Sequence, residues 1–421
     1  MASPVRLRTH AVAVGGDAIG RTEEGKIVFV EGGLPGELLL VELDDDRRDF
    51  ARGHVVEIIE PSPSRRVPTC PHVVSGCGGC GWQHVSDQAQ SPLKVAIVAD
   101  ALRRTGRIRD AAERVIAGPP LEMRGHRTGV RVAVVDGQAG FRAARSSRVV
   151  PVSSCEVTHP VIERLITDGR FANAREVSIR YGTTSQQVLV VVEPTRRNVI
   201  LPDLKDLAPD VDVVMVGLDE LNRKVRPESE PDADQAFFEE TVGGASFVVS
   251  ADSFFQTRPD GAECLIELVE SAVADESDLL LDLYGGVGLF AATVGRRFRS
   301  VVSVESSESA SNDAMVNLAS HPDGYVVCED VDRWRPPSEL FESRRVCVVA
   351  DPSRKGLGRQ AVQTIARTKA VVVVLVSCDA GSLGRDARLL VEAGYELIGS
   401  VVLDLFPQTP HVEVVSRFVL R

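Results

Sequence analysis

LLLDLYGGVGLF, residues 279–290, is a nearly continuous apolar run that stops at a glycine-rich turn. Leu279–Leu283 reads as a strand buried on both faces, as parallel strands are. Gly285, Gly286 and Gly288 then let the backbone turn tightly and approach a ligand closely. Working outward, three more apolar strands follow, Val301–Val304, Val346–Ala350 and Val371–Ser377. Helical segments near 289–298, 307–319, 358–368 and 381–393 separate them. This alternation predicts an α/β, doubly wound, Rossmann-like domain over residues 241–421, closed by strands near 396–404 and 412–420.

Ligands of such sheets bind beyond the carboxyl ends of the strands. The second strand ends in Glu305, 20 residues beyond Gly285, where an acid accepts hydrogen bonds from ribose hydroxyls. The third glycine of the dinucleotide fingerprint is absent, since Phe290 and Ala291 stand where it would fall. That disfavours NAD and favours a cofactor without a pyrophosphate, such as S-adenosylmethionine (SAM). Asp330, Asp351 and Cys378 also fall after strands. A thiol between a strand end and a helix N-terminus is expected to favour thiolate. The polar and glycine neighbours Asp379 and Gly381 count against a merely buried core cysteine.

The N-terminal half is organised differently. Val12–Val14, Ile27–Val30, Leu38–Leu43 and His54–Ile59 are short β-rich runs punctuated by glycine turns, which predicts a small barrel over residues 1–60. Pro61, Pro63 and Pro68 mark its boundary. CPHVVSGCGGCGWQH, residues 70–84, carries Cys70, Cys77 and Cys80, with Cys155 further on. Four thiolates hold either zinc or an iron–sulfur cluster, and spacing leaves that choice open. Residues 88–107 read as helix. From 124 to 240 a mixed α+β region is expected, with strands near 130–135, 188–192 and 211–216 and a loop over Arg226–Asp234.

The 421 residues suffice for two to four domains, with an ordinary soluble composition of 43% hydrophobic and 26% charged residues. No apolar h-region opens the chain, and the longest apolar run, Ala370–Val376, is too short to span a bilayer, so a cytoplasmic protein is expected. Eight cysteines in so long a chain do not make a secreted disulfide framework. The net charge of −12 argues against non-specific coating of nucleic acid. Residues 101–150, however, hold eleven arginines against four acids, which is either a localised RNA contact or a solvated face.

Five ordered segments carry a resemblance. They are Ser253-Phe254-Phe255-Gln256, Asp282 to Phe290, Asp351-Pro352-Ser353-Arg354-Lys355-Gly356-Leu357, Val376-Ser377-Cys378-Asp379-Ala380, and Phe406-Pro407-Gln408-Thr409-Pro410-His411-Val412-Glu413. Together they resemble the motifs of the SAM-dependent RNA 5-methyluridine methyltransferases over nearly the whole chain. The resemblance implies Cys378 as nucleophile and Glu413 as base. It implies Gln256, Tyr284, Gly286, Glu305, Asp330 and Asp351 at the SAM site. It also makes Cys70, Cys77, Cys80 and Cys155, the last just before His159-Pro160, similar to the ligands of a structural 4Fe–4S cluster. Gly16-Asp17-Ala18-Ile19-Gly20 and Val30 to Glu37 resemble a TRAM domain, an OB-like RNA-binding barrel. Arg6, Arg8, Arg47, Arg48 and Arg52 are its candidate RNA contacts, beside the acidic run Asp44-Asp45-Asp46.

The implied layout is a TRAM barrel over 1–60, a central α+β domain over 61–240 and a methyltransferase domain over 241–421, with the helical segment 88–118 packing on the last. The implied substrate is structured RNA, ribosomal rather than transfer RNA, and the protein a monomer with no membrane partner. Three motif positions depart from the family: Gly285 replaces a cysteine, Ser353 a proline, and Asp379-Ala380 an Asn-Pro pair. An ionised Asp379 is expected to raise the Cys378 pKa. The rival readings are a transfer-RNA enzyme, a SAM enzyme with another acceptor, and a catalytically idle RNA-binding homologue.

Overall fold

The computed structural model describes residues 4–195, 204, 206–210, 212–218, 224–225, 236–273 and 277–421. The expected loop Arg226–Asp234 lies outside the described residues.

Five strands close the N-terminal barrel: β1 (Val5–Val12), β2 (Ala18–Arg21), β3 (Ile27–Glu31), β4 (Leu38–Asp46) and β5 (Phe50–Glu60), in the order β1-β2-β3-β5-β4. Its core is small: Leu7, Ala18, Val28, Val30, Leu39, Val41 and Ala51. Sequence reading missed β2, because Ala-Ile-Gly-Arg is too short to show alternation, and it placed the first strand at Val12–Val14, where β1 in fact ends and the chain turns. Glu37, a fully buried carboxylate, ties the barrel to the proline-rich segment after β5. It accepts hydrogen bonds from Leu34 N (2.8 Å), Ser62 N (3.2 Å) and the Arg65 guanidinium.

Helix α1 (Asp87–Arg104), α2 (Ala111–Arg114) and β6 (Val115–Ala117) follow the cysteine loop. The central sheet comprises β7 (Gly129–Val135), β8 (Gln138–Arg142), β9 (Val149–Pro151), β10 (Ala174–Gly182), β11 (Gln187–Pro194), β12 (Asp212–Leu218) and β13 (Lys224–Val225), with α3 (Pro160–Asp168) against it. A hairpin, β14 (Phe237–Val242) and β15 (Ala245–Ser250), leads to α4 (Pro259–Ala272).

The doubly wound domain is built as expected. It contains β16 (Leu279–Leu283), α5 (Leu289–Ala292), β17 (Ser300–Glu305), α6 (Glu308–Asn317), β18 (Gly324–Cys328), β19 (Val346–Ala350), α7 (Gly358–Thr368), β20 (Val372–Ser377), α8 (Ala380–Glu392), β21 (Tyr395–Leu403) and β22 (Glu413–Leu420). The helix expected over 289–298 breaks at Thr293, whose hydroxyl bonds back to Leu289 O at 2.6 Å. Strand order is β18-β17-β16-β19-β20-β22-β21-β6. Residue parity sends Leu279, Leu281 and Leu283 to the face covered by α1, α7 and α8, and Leu280 to the face of α4 and α6.

Two features position the site. The strand β22 runs antiparallel to β20, with Ser377 opposite Val414. One further step of that register sets Cys378 beside Glu413, although the two are far apart in sequence. Secondly, β6 adds an edge strand parallel to β21 (Ser400 opposite Val115), and α1 packs on α8, so residues 87–117 belong to the doubly wound core. No helix among the described residues is long and apolar enough to cross a membrane.

Candidate active site

The parallel strands β16, β17, β19 and β20 end on one edge, which places Tyr284, Glu305, Asp351 and Cys378 at or just beyond strand ends on the same side of the sheet. Tyr284 and Gly286 both take the left-handed backbone conformation, at φ 59° and 54°. Only Gly286 does so at no steric cost, and a Cβ there would meet open space. Gly286 N donates to Glu305 Oε2 at 3.0 Å, and Ser307 N donates to Glu305 Oε1 at 2.7 Å. The glycine turn and the acid are therefore one unit, open above the turn. Gly285 explains its own departure from the family, since a Cβ would lie 2.2 Å from Ser303 Oγ.

Beneath the turn, Asp282 is fully buried and accepts from Ala291 N at 2.9 Å. Burial pushes its carboxyl up to about 7. The motif Ser253–Gln256 is fastened to α6 by a 2.9 Å contact between the hydroxyls of Ser253 and Ser309. Asp330 is an exposed rim residue whose carboxylate accepts from Asp332 N at 2.8 Å. Gln256 lines a cavity of about 430 Å³, between β7, β10, β11 and the Ser250–Thr257 turn, that neither Cys378 nor Glu413 reaches.

Around the thiol, Glu413 is buried, and water exclusion with the charge of Asp351 raises its pKa well above the carboxylate range. Asp351 is itself pushed up to about 7 by desolvation. Cys378 is half-buried and its thiol is pushed up to about 11, first by burial, then by Glu413 and Asp351. The expectation of a thiolate favoured by the helix end is thus corrected: desolvation and two carboxylates outweigh the dipole in the ligand-free protein. Asp379 caps α8, its carboxylate accepting Ser382 N at 2.7 Å.

One residue of this site was not picked out from sequence. The Arg354 guanidinium counters the upward shift of both Cys378 and Glu413. The signal was a base three residues beyond the strand-end acid Asp351. Its loop is braced by Asp386, which accepts Leu357 N (2.8 Å) and Gly358 N (3.0 Å).

Cys70, Cys77, Cys80 and Cys155 come together around one small cavity, with Gln83 and Arg127 in its wall. Among the described residues no three His, Cys, Asp or Glu side chains are spaced to hold one metal ion. The four thiols line the wall of that cavity. Burial and the neighbouring thiols push Cys80 up to about 12, so a bound group must displace protons. Arg127 places a guanidinium where Cys80 and Cys155 favour its charge.

The arginine-rich zone does not form a bare basic face. Seven of its eleven arginines, 103, 104, 114, 124, 131, 142 and 145, pair with acids that the fold brings to them. In the barrel, Arg47 and Arg52 stack on Phe50 and Phe29 while pairing with Asp45 and Asp17, and Arg8 pairs with Glu60.

Residues 11–56 match the TRAM domain family. An uncharacterized RNA methyltransferase of Streptomyces avermitilis is 31% identical, over 99% of this chain and 98% of its own. The 23S rRNA (uracil(1939)-C(5))-methyltransferase RlmD of Methylococcus capsulatus is 32% identical, over 99% of this chain and 97% of its own. A crystal structure of Pyrococcus abyssi tRNA (uracil-54, C5)-methyltransferase with S-adenosyl-L-homocysteine shares the fold, with a TM-score of 0.74 and 24% identity over 99% of both chains. With whole-length relatives at this identity, a TRAM barrel and an open glycine turn held to a strand-end acid, the chain belongs to the SAM-dependent RNA (uracil-C5)-methyltransferase family.

Proposed function

We propose that the protein methylates carbon 5 of a uridine in 23S ribosomal RNA through a covalent adduct on Cys378. The observation that carries this reading is the β20–β22 register, which sets a thiol and a buried carboxyl side by side at the cofactor edge of the sheet. Ribosomal RNA is favoured by the name of the Methylococcus relative.

Carbon 5 of uracil is a weak nucleophile, and a thiolate adding at carbon 6 turns it into an enolate. Cys378 loses its proton to water and forms the sulfur–carbon bond as the thiolate, which leaves the Glu413 carboxylate free to act as base. Arg354 favours the thiolate and balances the charge that develops. SAM supplies the methyl group, in a cradle formed by Gln256, Tyr284, Gly286, Glu305, Asp330 and Asp351. Glu413 then takes the carbon 5 proton. The electrons of that C–H bond form the C5–C6 double bond, and the sulfur–carbon bond breaks to release the thiolate. The uridine must leave its stack to reach the thiol.

The four-cysteine cavity fits a 4Fe–4S cluster held by Cys70, Cys77, Cys80 and Cys155. That group would fasten the loop carrying Trp82 and Gln83, and no reaction step runs through it.

The deciding experiment is nucleoside mass spectrometry of ribosomal and transfer RNA from cells with and without the protein, with Cys378→Ala as control. Loss of 5-methyluridine from 23S RNA alone is expected. Methylation surviving in purified Cys378→Ala protein overturns the mechanism, and loss confined to transfer RNA overturns the substrate.

A further inference from the structure

Gln408 belongs to the loop between β21 and β22 that leads into Glu413. It is 2% exposed and holds a left-handed backbone at φ 65°. A non-glycine residue keeps that conformation only where its surroundings over-determine it, and here they do. Its side-chain oxygen accepts from Arg66 Nη2 (2.6 Å) and Gln90 Nε2 (3.1 Å). Its side-chain nitrogen donates to Asp87 Oδ1 (3.0 Å). Its main-chain N–H donates to Gln90 Oε1 (2.6 Å), and its carbonyl accepts from Trp82 N (2.8 Å).

Arg66 comes from the proline-rich segment, Asp87 and Gln90 from α1, and Trp82, bound through the Gln408 carbonyl, from the cysteine loop. Trp82 lies two residues from Cys80, and its neighbour Gln83 lines the cysteine cavity. Lys94, fully buried, donates to Asp404 Oδ1 (2.6 Å) and Phe406 O (2.9 Å), with its ammonium 5.9 Å from the Trp82 ring. The barrel meets the same point. Gly16 packs so closely that a Cβ would lie 2.6 Å from Pro410 and 2.8 Å from Trp82. At the loop's far end, His411 stands exposed, edge-on to Phe406.

We infer that Gln408 is a positioning residue that fastens loop 404–412 to the cysteine loop, so that the order of the four-cysteine site sets the shape of the Cys378–Glu413 pocket. The inference rests on the catalytic reading given above. Without the side-chain amide, the loop keeps its strand ends and its main-chain bonds to Trp82 and Gln90 but loses the side-chain grip on Arg66, Asp87 and Gln90 that holds those main-chain bonds in place.

The test is amide hydrogen exchange read by mass spectrometry on full-length wild-type, Gln408→Gly, Gln408→Asn, Cys80→Ser and the Cys80→Ser/Gln408→Gly double variant. SAM binding is measured on each by calorimetry. In Gln408→Gly the 404–412 amides exchange about tenfold faster or more, as loss of several buried hydrogen bonds requires. Leu279–Leu283 stays protected, SAM affinity is unchanged, and methylation slows at saturating SAM. Gln408→Asn recovers part of the protection. Cys80→Ser loosens the same amides, and the double variant loosens them no further. Should Cys80→Ser fail to fold, wild-type and Gln408→Gly proteins compared before and after anaerobic chelation replace it and the double variant. Unchanged exchange over 404–412 in Gln408→Gly, or additive loosening, overturns the inference. A denaturant-resistant RNA adduct in Glu413→Gln reports separately on the catalytic reading, and its absence overturns the role of Glu413 but not the loop measurement.

Discussion

The carboxylate of Glu305 accepts the main-chain N–H of Gly286 at 3.0 Å, closing the glycine turn of β16 onto the end of β17. One acid thus shapes the turn and faces the space above it. Glu305→Ala removes both roles, and SAM affinity is expected to fall roughly 10- to 100-fold, equivalent to about 1.5–3 kcal/mol of charge-assisted hydrogen bonding. Glu305→Gln keeps an acceptor and loses less. Calorimetric titration with SAM checks both, and equal affinities for wild type and Glu305→Ala contradict the assignment.

The acidity of Cys378 depends on its charged neighbours in opposite senses. Its thiol sits at about 11 because burial and the carboxylates of Glu413 and Asp351 oppose ionisation, while Arg354 favours it. Glu413→Gln therefore shifts the pH midpoint of iodoacetamide labelling at Cys378 downward, and Arg354→Gln shifts it upward. Peptide mass spectrometry separates this site from the other cysteines. A midpoint indifferent to both substitutions would mean that neither group stands near the sulfur.

Asp379 stands where the family has asparagine, and it caps α8 by accepting Ser382 N at 2.7 Å. Aspartate and asparagine cap about equally well. Asp379→Asn should leave both the melting transition and turnover close to wild type. Asp379→Ala costs about 1 kcal/mol. A large gain in rate on restoring asparagine would show that the charge does burden Cys378.

His126 introduces acid sensitivity. Burial, with Arg258 and Arg127 nearby and Asp260 opposing them, holds its imidazole down to about 3, and its buried Nδ1 has no partner among the described residues. A base whose folded pKa lies below its unfolded value of about 6.5 contributes stability above that pH and loses it as pH falls. Asp282 and Asp351, raised to about 7, act with the opposite sign over the same interval. Comparing wild type with His126→Gln isolates the histidine. The substitution should recover up to about 2 kcal/mol of the stability lost between pH 6.5 and 5, read from urea unfolding. An identical pH dependence in the two proteins refutes it.

Much of the site could be read directly because its residues announce strand ends. Glu305, Asp351 and Cys378 each terminate an apolar run, and periodicity needs only neighbours along the chain. The charged zone at 101–150 could be read two ways for the same reason. A local count of arginines ignores the acids Glu176, Glu193 and Glu31, which reach them only after folding. The short strands β2 and β6 were missed because they are defined by their partners, not by their own pattern.

By itself the sequence determined the doubly wound fold, the glycine turn, the thiol at a strand end, the cluster of Cys70, Cys77 and Cys80 and the barrel, since each is written in local spacing and residue type. Tertiary structure alone decided three things: that Glu413 lies beside Cys378, that burial and two carboxyls push the thiol's pKa up, and that Gln408 is gripped by Arg66, the cysteine loop and α1. Strand direction, exclusion of water and hydrogen bonds between distant segments are properties of a packed chain. No window of neighbouring residues contains them.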